Sequence, residues 1–353
     1  MKGMRGMTLS DLQRVQPVYD EIRVMHRKVV IENVIVETLG WMLYEKKLTL
    51  YAIEYDAEAW EKEREGKTFQ KQRKRAWTNR EEVLRKYQCI DYEMPFMRLK
   101  SIIIDDIQFN VNGATSTRID KEELQEALLI LNEFVREGIK VSEEMVDVNL
   151  EGISLTSIEV EGEYDTIPVE TSVGKILLNQ DNKYLHYLIQ KTLKLEVGKK
   201  YPKSFKCGKD EQAFEFYINQ VYLMNLQEEI DKIFKHPKVR EQLSEDEICK
   251  RKEEAKQEIE KIYPKGTLLP VIEYEVQTRD LNLEIYTKNY LDKEPTNASS
   301  SMGILIKSDK QEGEHGLPVK AVALLEGVAE DTTTLEVEVI GYILRVDGEV
   351  IEL

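Results

Sequence analysis

The stretch from Val141 to Leu226 constrains the fold more than any other part of the chain. It reads Val-Asp-Val-Asn-Leu-Glu-Gly at 146–152, Gly-Glu-Tyr at 162–164 and Tyr-Leu-His-Tyr-Leu-Ile at 184–189. Leu-Glu-Val-Gly follows at 195–198 and Ala-Phe-Glu-Phe-Tyr-Ile at 213–218. Alternation of apolar and polar residues, punctuated by glycine, predicts strands at 146–152 and 213–218, and Ile176–Leu178 reads as a buried strand. Tyr184, Leu185, Leu188, Ile189 and Leu193 recur at three to four residues, which predicts a short amphipathic helix. Strand, strand, short helix, strand, strand makes one small α+β module over 141–225.

The flanking segments predict further domains. Leu12, Val15, Val18, Tyr19, Ile22 and Met25 recur at helical spacing, so residues 8–28 are expected to be helical, with a kink at Pro17. Residues 29–36 either extend that helix or start a strand, the β-branched content favouring a strand; residues 48–55 read as a strand, and Asp56 opens a short charged helix that Gly66 ends. Asn79 with Glu82 is expected to cap a helix running to Tyr87. Residues 94–111 are strand-like, broken at Asp105-Asp106, and Asn112-Gly113 is a tight-turn signal. Adjacent aspartates on an extended chain point to opposite faces and no further ligand spacing joins them, so they are read as a turn rather than a metal site. An α+β domain over 1–113 is followed by a connecting helix within 114–140. Asp120 and Glu123 form its capping box, Leu124, Ala127, Leu128, Leu131, Phe134 and Val135 its apolar stripe, and Gly138 its stop.

Beyond the module, residues 226–266 read as a projecting helical hairpin. His236-Pro237 breaks the first helix and Ser244 with Glu247 caps the second. Residues 267–353 read as a β-rich domain, with Asp347-Gly348 as a hairpin turn between Val346 and Val350. His315, in Gly-Glu-His-Gly, is expected to be an exposed loop residue. The fold class expected is therefore α+β and multidomain.

Composition excludes some functions. With 50 Lys and Arg against 66 Asp and Glu, the net charge of −16 disfavours general binding to nucleic acid or anionic membrane. One basic stretch, Lys67 to Arg80, carries Phe69 and Trp77 among its cations; it reads either as an RNA- or ribosome-facing loop or as a solvated face that balances nearby acid. Cys89, Cys207 and Cys249 are far apart, so neither a disulfide framework nor a zinc site is expected. No cofactor or small-molecule ligand is expected, because the chain has no glycine-rich phosphate loop, dinucleotide fingerprint or nucleophile elbow. The first residues lack the apolar run of a signal peptide, and no apolar run is long enough to span a bilayer, so a cytoplasmic location is expected.

The order of elements in the module resembles the FKBP-type domain of trigger factor. Val146–Gly152 matches its first strand, Gly162-Glu163-Tyr164 its turn, and Tyr184 falls where its pocket-floor aromatic sits. Val197-Gly198 and Gly208-Lys209 match later turns, and Phe214 and Phe216 the closing strand. The family's Pro-Gly before the helix is Asn182-Lys183 here, and its first-strand pocket tyrosine falls on Leu150. The resemblance implies a pocket of Tyr164, Tyr184, Phe214 and Phe216, degenerate as an isomerase, followed by an arm that cradles clients. Besides an enzyme with a non-local site, two functions are held as expectations. One is a non-catalytic, trigger-factor-like chaperone that binds unfolded proteins. The other is a structural or assembly protein of a bacteriophage or other large particle, contacting other subunits.

Overall fold

The structure, a computed structural model, describes residues 19–45, 47–65, 78–88, 94–119, 124–161, 175–207, 214–264, 266–295 and 310–353. Among these the strands are β1 (Glu21–Ile31), β2 (Val34–Tyr44), β3 (Lys47–Tyr55), β4 (Leu99–Ile104), β5 (Ile107–Arg118), β6 (Ile153–Glu161), β7 (Ile176–Gln180) and β8 (Lys183–Glu196). They continue as β9 (Phe205–Cys207), β10 (Phe214–Met224), β11 (Thr267–Glu275), β12 (Leu281–Thr287), β13 (Val319–Ala323), β14 (Val328–Ala329), β15 (Thr334–Val346) and β16 (Val350–Glu352). The fold is mixed α+β.

The chain forms two compact units, and neither is contiguous in sequence. The first comprises Met1–Lys71, Cys89–Lys183 and Asp347–Leu353, the second Gln72–Gln88 and Tyr184–Val346. The boundaries expected at 113, 140, 225 and 266 each fall inside a unit.

The first unit is built on an antiparallel sheet in the order β1-β2-β3-β6-β5-β4-β7-β16. Two-residue turns close its hairpins. Glu32-Asn33 joins β1 to β2 and Asp105-Asp106 joins β4 to β5, each residue at positive φ between 45° and 70°, the backbone that a primed hairpin turn demands. One face packs on the helix Leu124–Arg136, whose Ala127, Ile130 and Phe134 meet Leu39, Met42, Ile53 and Leu155. This helix belongs to the core of the unit rather than connecting domains. The capping box expected for it at Asp120 and Glu123 lies outside the described residues. The other face of the sheet is also apolar, with Val36, Trp41, Leu50, Ile102, Phe109, Ile176 and Leu178 buried together. Trp41 on β2 lies 6.3 Å from Phe109 on β5, ring centre to ring centre. In a flat sheet three strand spacings would separate them by about 14 Å. The sheet therefore curls so that this face packs on itself.

Curling is achieved at bulges. The register shifts between Val24 and Arg27 on β1 and between Thr38 and Gly40 on β2. Gly40 has φ +140°, and a Cβ there would lie 2.0 Å from the carbonyl oxygen of Arg23. Thr38 Oγ1 donates to Met25 O at 2.7 Å and accepts from Arg27 N at 2.9 Å, filling the gap in the ladder. The bulge also corrects the helix expected over 8–28, of which residues 19–28 are described. An inserted residue turns the period of two into the three-residue spacing of Ile22 and Met25, and Glu21–Ile31 is a strand. Asn112-Gly113 is likewise a register shift within β5, not a turn.

The second unit packs a sheet ordered β13-β11-β10-β9 against one ordered β12-β15-β8. A row of aromatic rings runs through its core: Tyr201, Phe205, Phe216, Phe214, Tyr342 and Tyr187, with successive centroids 5.9, 5.5, 6.1, 4.7 and 4.6 Å apart. The helix expected at 184–193 is the strand β8. Its Leu185, Tyr187, Ile189, Leu193 and Leu195 turn inward at period two, while Tyr184 and Leu188 lie on the exposed face and create the false helical spacing. The strand expected at 146–152 is a short helix, Glu143–Val146, and a 3-10 turn, Leu150–Gly152; β6 begins after it. Asp347-Gly348 closes no hairpin, because β15 pairs with β12 whereas β16 pairs with β7.

The helices Leu226–Lys235 and Glu245–Ile262 pack through Leu226, Ile230 and Ile259 onto Leu269 of β11. Asp231 pairs with Lys252 and Lys256, and Ser244 and Glu247 form the capping box read from the sequence. The helix Asn79–Gln88 is capped one residue earlier than expected, by Thr78 and Glu81. That frees Asn79 Nδ2 to donate to Tyr290 O at 2.9 Å.

Gly40→Ala is expected to cost about 2–3 kcal/mol through its forced φ and backbone clash, read as a lower urea midpoint. Gly113→Ala, which meets nothing within 4 Å, is expected to change stability by less than about 0.5 kcal/mol.

Candidate functional site

Among the described residues five glutamates on strands are buried, and three of them are almost wholly so: Glu37 on β2 at 0% exposure, Glu54 on β3 at 2% and Glu275 on β11 at 0%. A buried carboxylate requires donors. Each of the three takes a main-chain N–H from a segment outside its own sheet ladder. Ser142 N donates to Glu37 at 3.0 Å, Phe96 N to Glu54 at 2.9 Å, and His315 N and Leu317 N to Glu275 at 3.1 and 3.3 Å.

At Glu37 a hydroxyl and an imidazole join the carboxylate. Ser142 Oγ donates to Oε1, and His26 Nε2 lies 2.8 Å from Oε2. The residue types are those of a nucleophilic triad, but the order differs. A triad places the imidazole between hydroxyl and carboxylate so that it takes the proton from the nucleophile. Here the carboxylate lies between, and Ser142 is bound rather than activated. Burial would push the Glu37 carboxyl up, but Ser142 and His26 outweigh it and hold it below the usual range. At Glu54 burial wins. Thr156 Oγ1 and Phe96 N only partly offset it, and the carboxyl is raised to about 7.

Glu275 holds a loop. Besides the two main-chain donors, His315 Nδ1 lies 3.1 Å from its Oε1. The imidazole stacks on Tyr217 with ring centres 3.7 Å apart. Gly313 passes so close that a Cβ would lie 2.1 Å from the Glu275 carboxyl carbon. His315 is the exposed loop residue expected, and its imidazole is held by Glu275 and Tyr217. Beside this loop lies a cleft of about 260 Å³ lined by Lys200, Asn219, Gln220, Glu273, Lys310 and Glu312. Its charges are of both signs, and no Ser, Thr, Cys or His is among its described lining residues.

A larger open cleft of about 530 Å³ surrounds Glu326, with Thr287, Asn289, Asp292, Thr334 and Glu336 on its walls. Glu326 accepts from Thr287 Oγ1 at 2.7 Å and from Asn289 and Lys293, so its oxygens are already engaged. Among the described residues, no three His, Cys, Asp or Glu side chains gather as metal ligands would.

Of the aromatics expected to line a pocket, three are described. Tyr164 lies outside the described residues, as do the turns matched at Gly162-Glu163 and Gly208-Lys209. Tyr184 is 57% exposed on β8, Phe216 is fully buried, and Phe214 stands between Phe216 and Tyr342 in the aromatic row. Of the basic stretch, only Thr78, Asn79 and Arg80 are described. Arg80 pairs with Glu338 at 2.6 Å and Asp292 at 3.2 Å, the acid-balancing role weighed for it. The buried glutamates and His315 had no sequence signal beyond a charge set in an apolar strand, as in Val-Ile-Glu-Tyr-Glu-Val at 271–276.

The most exposed apolar side chains on strands lie at sheet borders. Val30 on β1 is 59% exposed, Val350 on β16 is 64%, and Tyr184 and Leu188 on β8 are 57% and 43%. β1 and β16 border the eight-stranded sheet, and β8 borders the three-stranded one. No helix among the described residues is long and apolar enough to cross a membrane. No protein family, curated protein or solved structure matches the chain.

The titration of Glu54 carries a prediction. Its folded value lies above its unfolded one, so the folded state holds the proton more tightly. The resulting stability is complete below pH 4.5 and is lost as pH rises toward 7. The loss is on the order of 3 kcal/mol. Glu54→Gln is expected to flatten this slope, making the variant relatively more stable at pH 8 than at pH 5 in urea titrations compared with the parent.

Proposed function

We propose that this chain is a structural or assembly protein of a large particle, contacting other subunits through the borders of its sheets. The observation that carries the reading is the placement of exposed apolar side chains on border strands. Such a strand presents unpaired main-chain groups along one side, and folded monomers usually guard it with charge. On β8 the outward residues are Tyr184, His186, Leu188, Gln190 and Thr192, followed at the far end by the charges Lys194 and Glu196. An apolar border suits a permanent protein partner, for which strand pairing supplies affinity and alternate side chains supply selectivity.

A second reading is a client-binding chaperone of the trigger-factor kind. It is favoured by Ile233 and Ile262, 58% and 38% exposed on the helices that follow β10. Apolar helix surface of this kind suits transient capture of unfolded chains.

Size-exclusion chromatography with light scattering separates the two. The assembly reading expects a defined oligomer whose size is indifferent to an added unfolded protein. Tyr184→Lys with Leu188→Lys is expected to abolish that oligomer while leaving the thermal midpoint nearly unchanged, since both side chains face solvent. A monomer that captures the unfolded protein would overturn the assembly reading in favour of the chaperone. A monomer that ignores it would overturn both.

A further inference from the structure

The last strand of the first unit comes from the far end of the chain. Residues 184–346 all belong to the second unit, and Asp347–Leu353 then returns to the first. β16 lies along β7, with Val350, Ile351 and Glu352 opposite Asn179, Leu178 and Leu177. Gln180 N donates to Glu349 O and Leu353 N to Ile176 O, both at 2.9 Å. Ile351 and Leu353 project to the same side and pack on the core that contains Ile176 and Leu178. Lys175 pairs with Glu352 at 3.0 Å. Gly348 is selected by contact, since a Cβ there would lie 2.0 Å from Gln180 O.

These features describe a strand-acceptor site. Main-chain bonds hold a short extended peptide, two apolar anchors two residues apart set its register, and a glycine is required at its start. β7 needs a neighbour on this side, because Ile176 and Leu178 are both at 0% exposure and an open edge there would leave main-chain groups unpaired. None of these contacts depends on which copy of the chain supplies the segment. The contacts are few, and the residues before the strand, Asp347 and Glu349, are exposed.

We propose that the β7 edge is an exchangeable strand-acceptor site, filled in assemblies by Gly348–Leu353 of a second copy of this chain. The proposal rests on the assembly reading and gives it one specific contact. In isolation the chain's own segment wins by its high effective concentration; in a crowded assembly the same bonds formed between copies cost little extra.

Two full-length variants test it. One carries Asn179→Cys and the other Val350→Cys, paired positions on β7 and β16, each with Cys89→Ser and Cys249→Ser and one with a size tag. Mixed at the concentration at which the parent assembles and then oxidised, they are expected to give a disulfide-linked pair containing one chain of each kind. Adding Gly348→Val to the Val350→Cys chain is expected to abolish that pair, which separates seating in the groove from random collision. A control chain carrying both cysteines should close on itself when dilute. Internal closure without a mixed pair would overturn exchange, and no closure at all would overturn the groove itself. Light scattering on the parent keeps the two proposals distinct. An oligomer without the mixed pair leaves the assembly reading standing and removes this contact, whereas a monomer without it removes both.

Discussion

The burial of ionisable carboxylates within apolar strands is the constraint on which much of this structure turns. Glu37, Glu54 and Glu275 are each cut off from solvent, and each must replace its lost hydration with donors from the protein. The donors are main-chain N–H groups at Ser142, Phe96, His315 and Leu317, in segments outside the strands. One buried acid thus fixes where a remote irregular segment lands. Removing the acid would leave those N–H groups unpaired as well, at roughly 1–3 kcal/mol each. The same arrangement on three strands gives the fold its means of tying loops to sheets.

The consequences differ by what else reaches the carboxylate. Ser142 and His26 hold the Glu37 carboxyl below its usual range, whereas Glu54 has one amide and one hydroxyl and is raised to about 7 by burial. Acids on adjacent strands therefore push stability in opposite directions with pH. Glu275 adds a third case, in which an imidazole stacked on Tyr217 completes the shell and the loop 312–318 is wrapped tightly enough to need Gly313. The carboxylates, hydroxyl and imidazoles of these clusters are engaged in tying loops to sheets.

The sequence was most legible where a short-range rule governs. The turn at Asp105-Asp106, the helix at 124–136, the Ser244–Glu247 cap and the strand at 48–55 appear as read, because each depends on neighbours a few residues away, although Val135 of the expected helix stripe is exposed and Ile130 is buried in its place. It misled where tertiary context changed the period. A bulge gave β1 a helical spacing, and exposed Tyr184 and Leu188 gave β8 another. Phe214 and Phe216, read as pocket walls, are members of the aromatic row that joins two sheets. The glutamate clamps were invisible because their main-chain donors lie from 40 to 105 residues away.

By itself the sequence determined the class of the protein: mixed helix and strand, acidic, with turns and helix caps set by local stereochemistry. The tertiary structure alone decided how the pieces combine. It gathered the strands before residue 184 and those after residue 347 around one curled sheet, and the strands between them around another core. Hydrophobic burial and strand pairing act on proximity in space and are indifferent to distance along the chain. That is why Asp347-Gly348, with every local mark of a hairpin, instead delivers a strand to β7, an edge made in the first half of the chain's path through the two units.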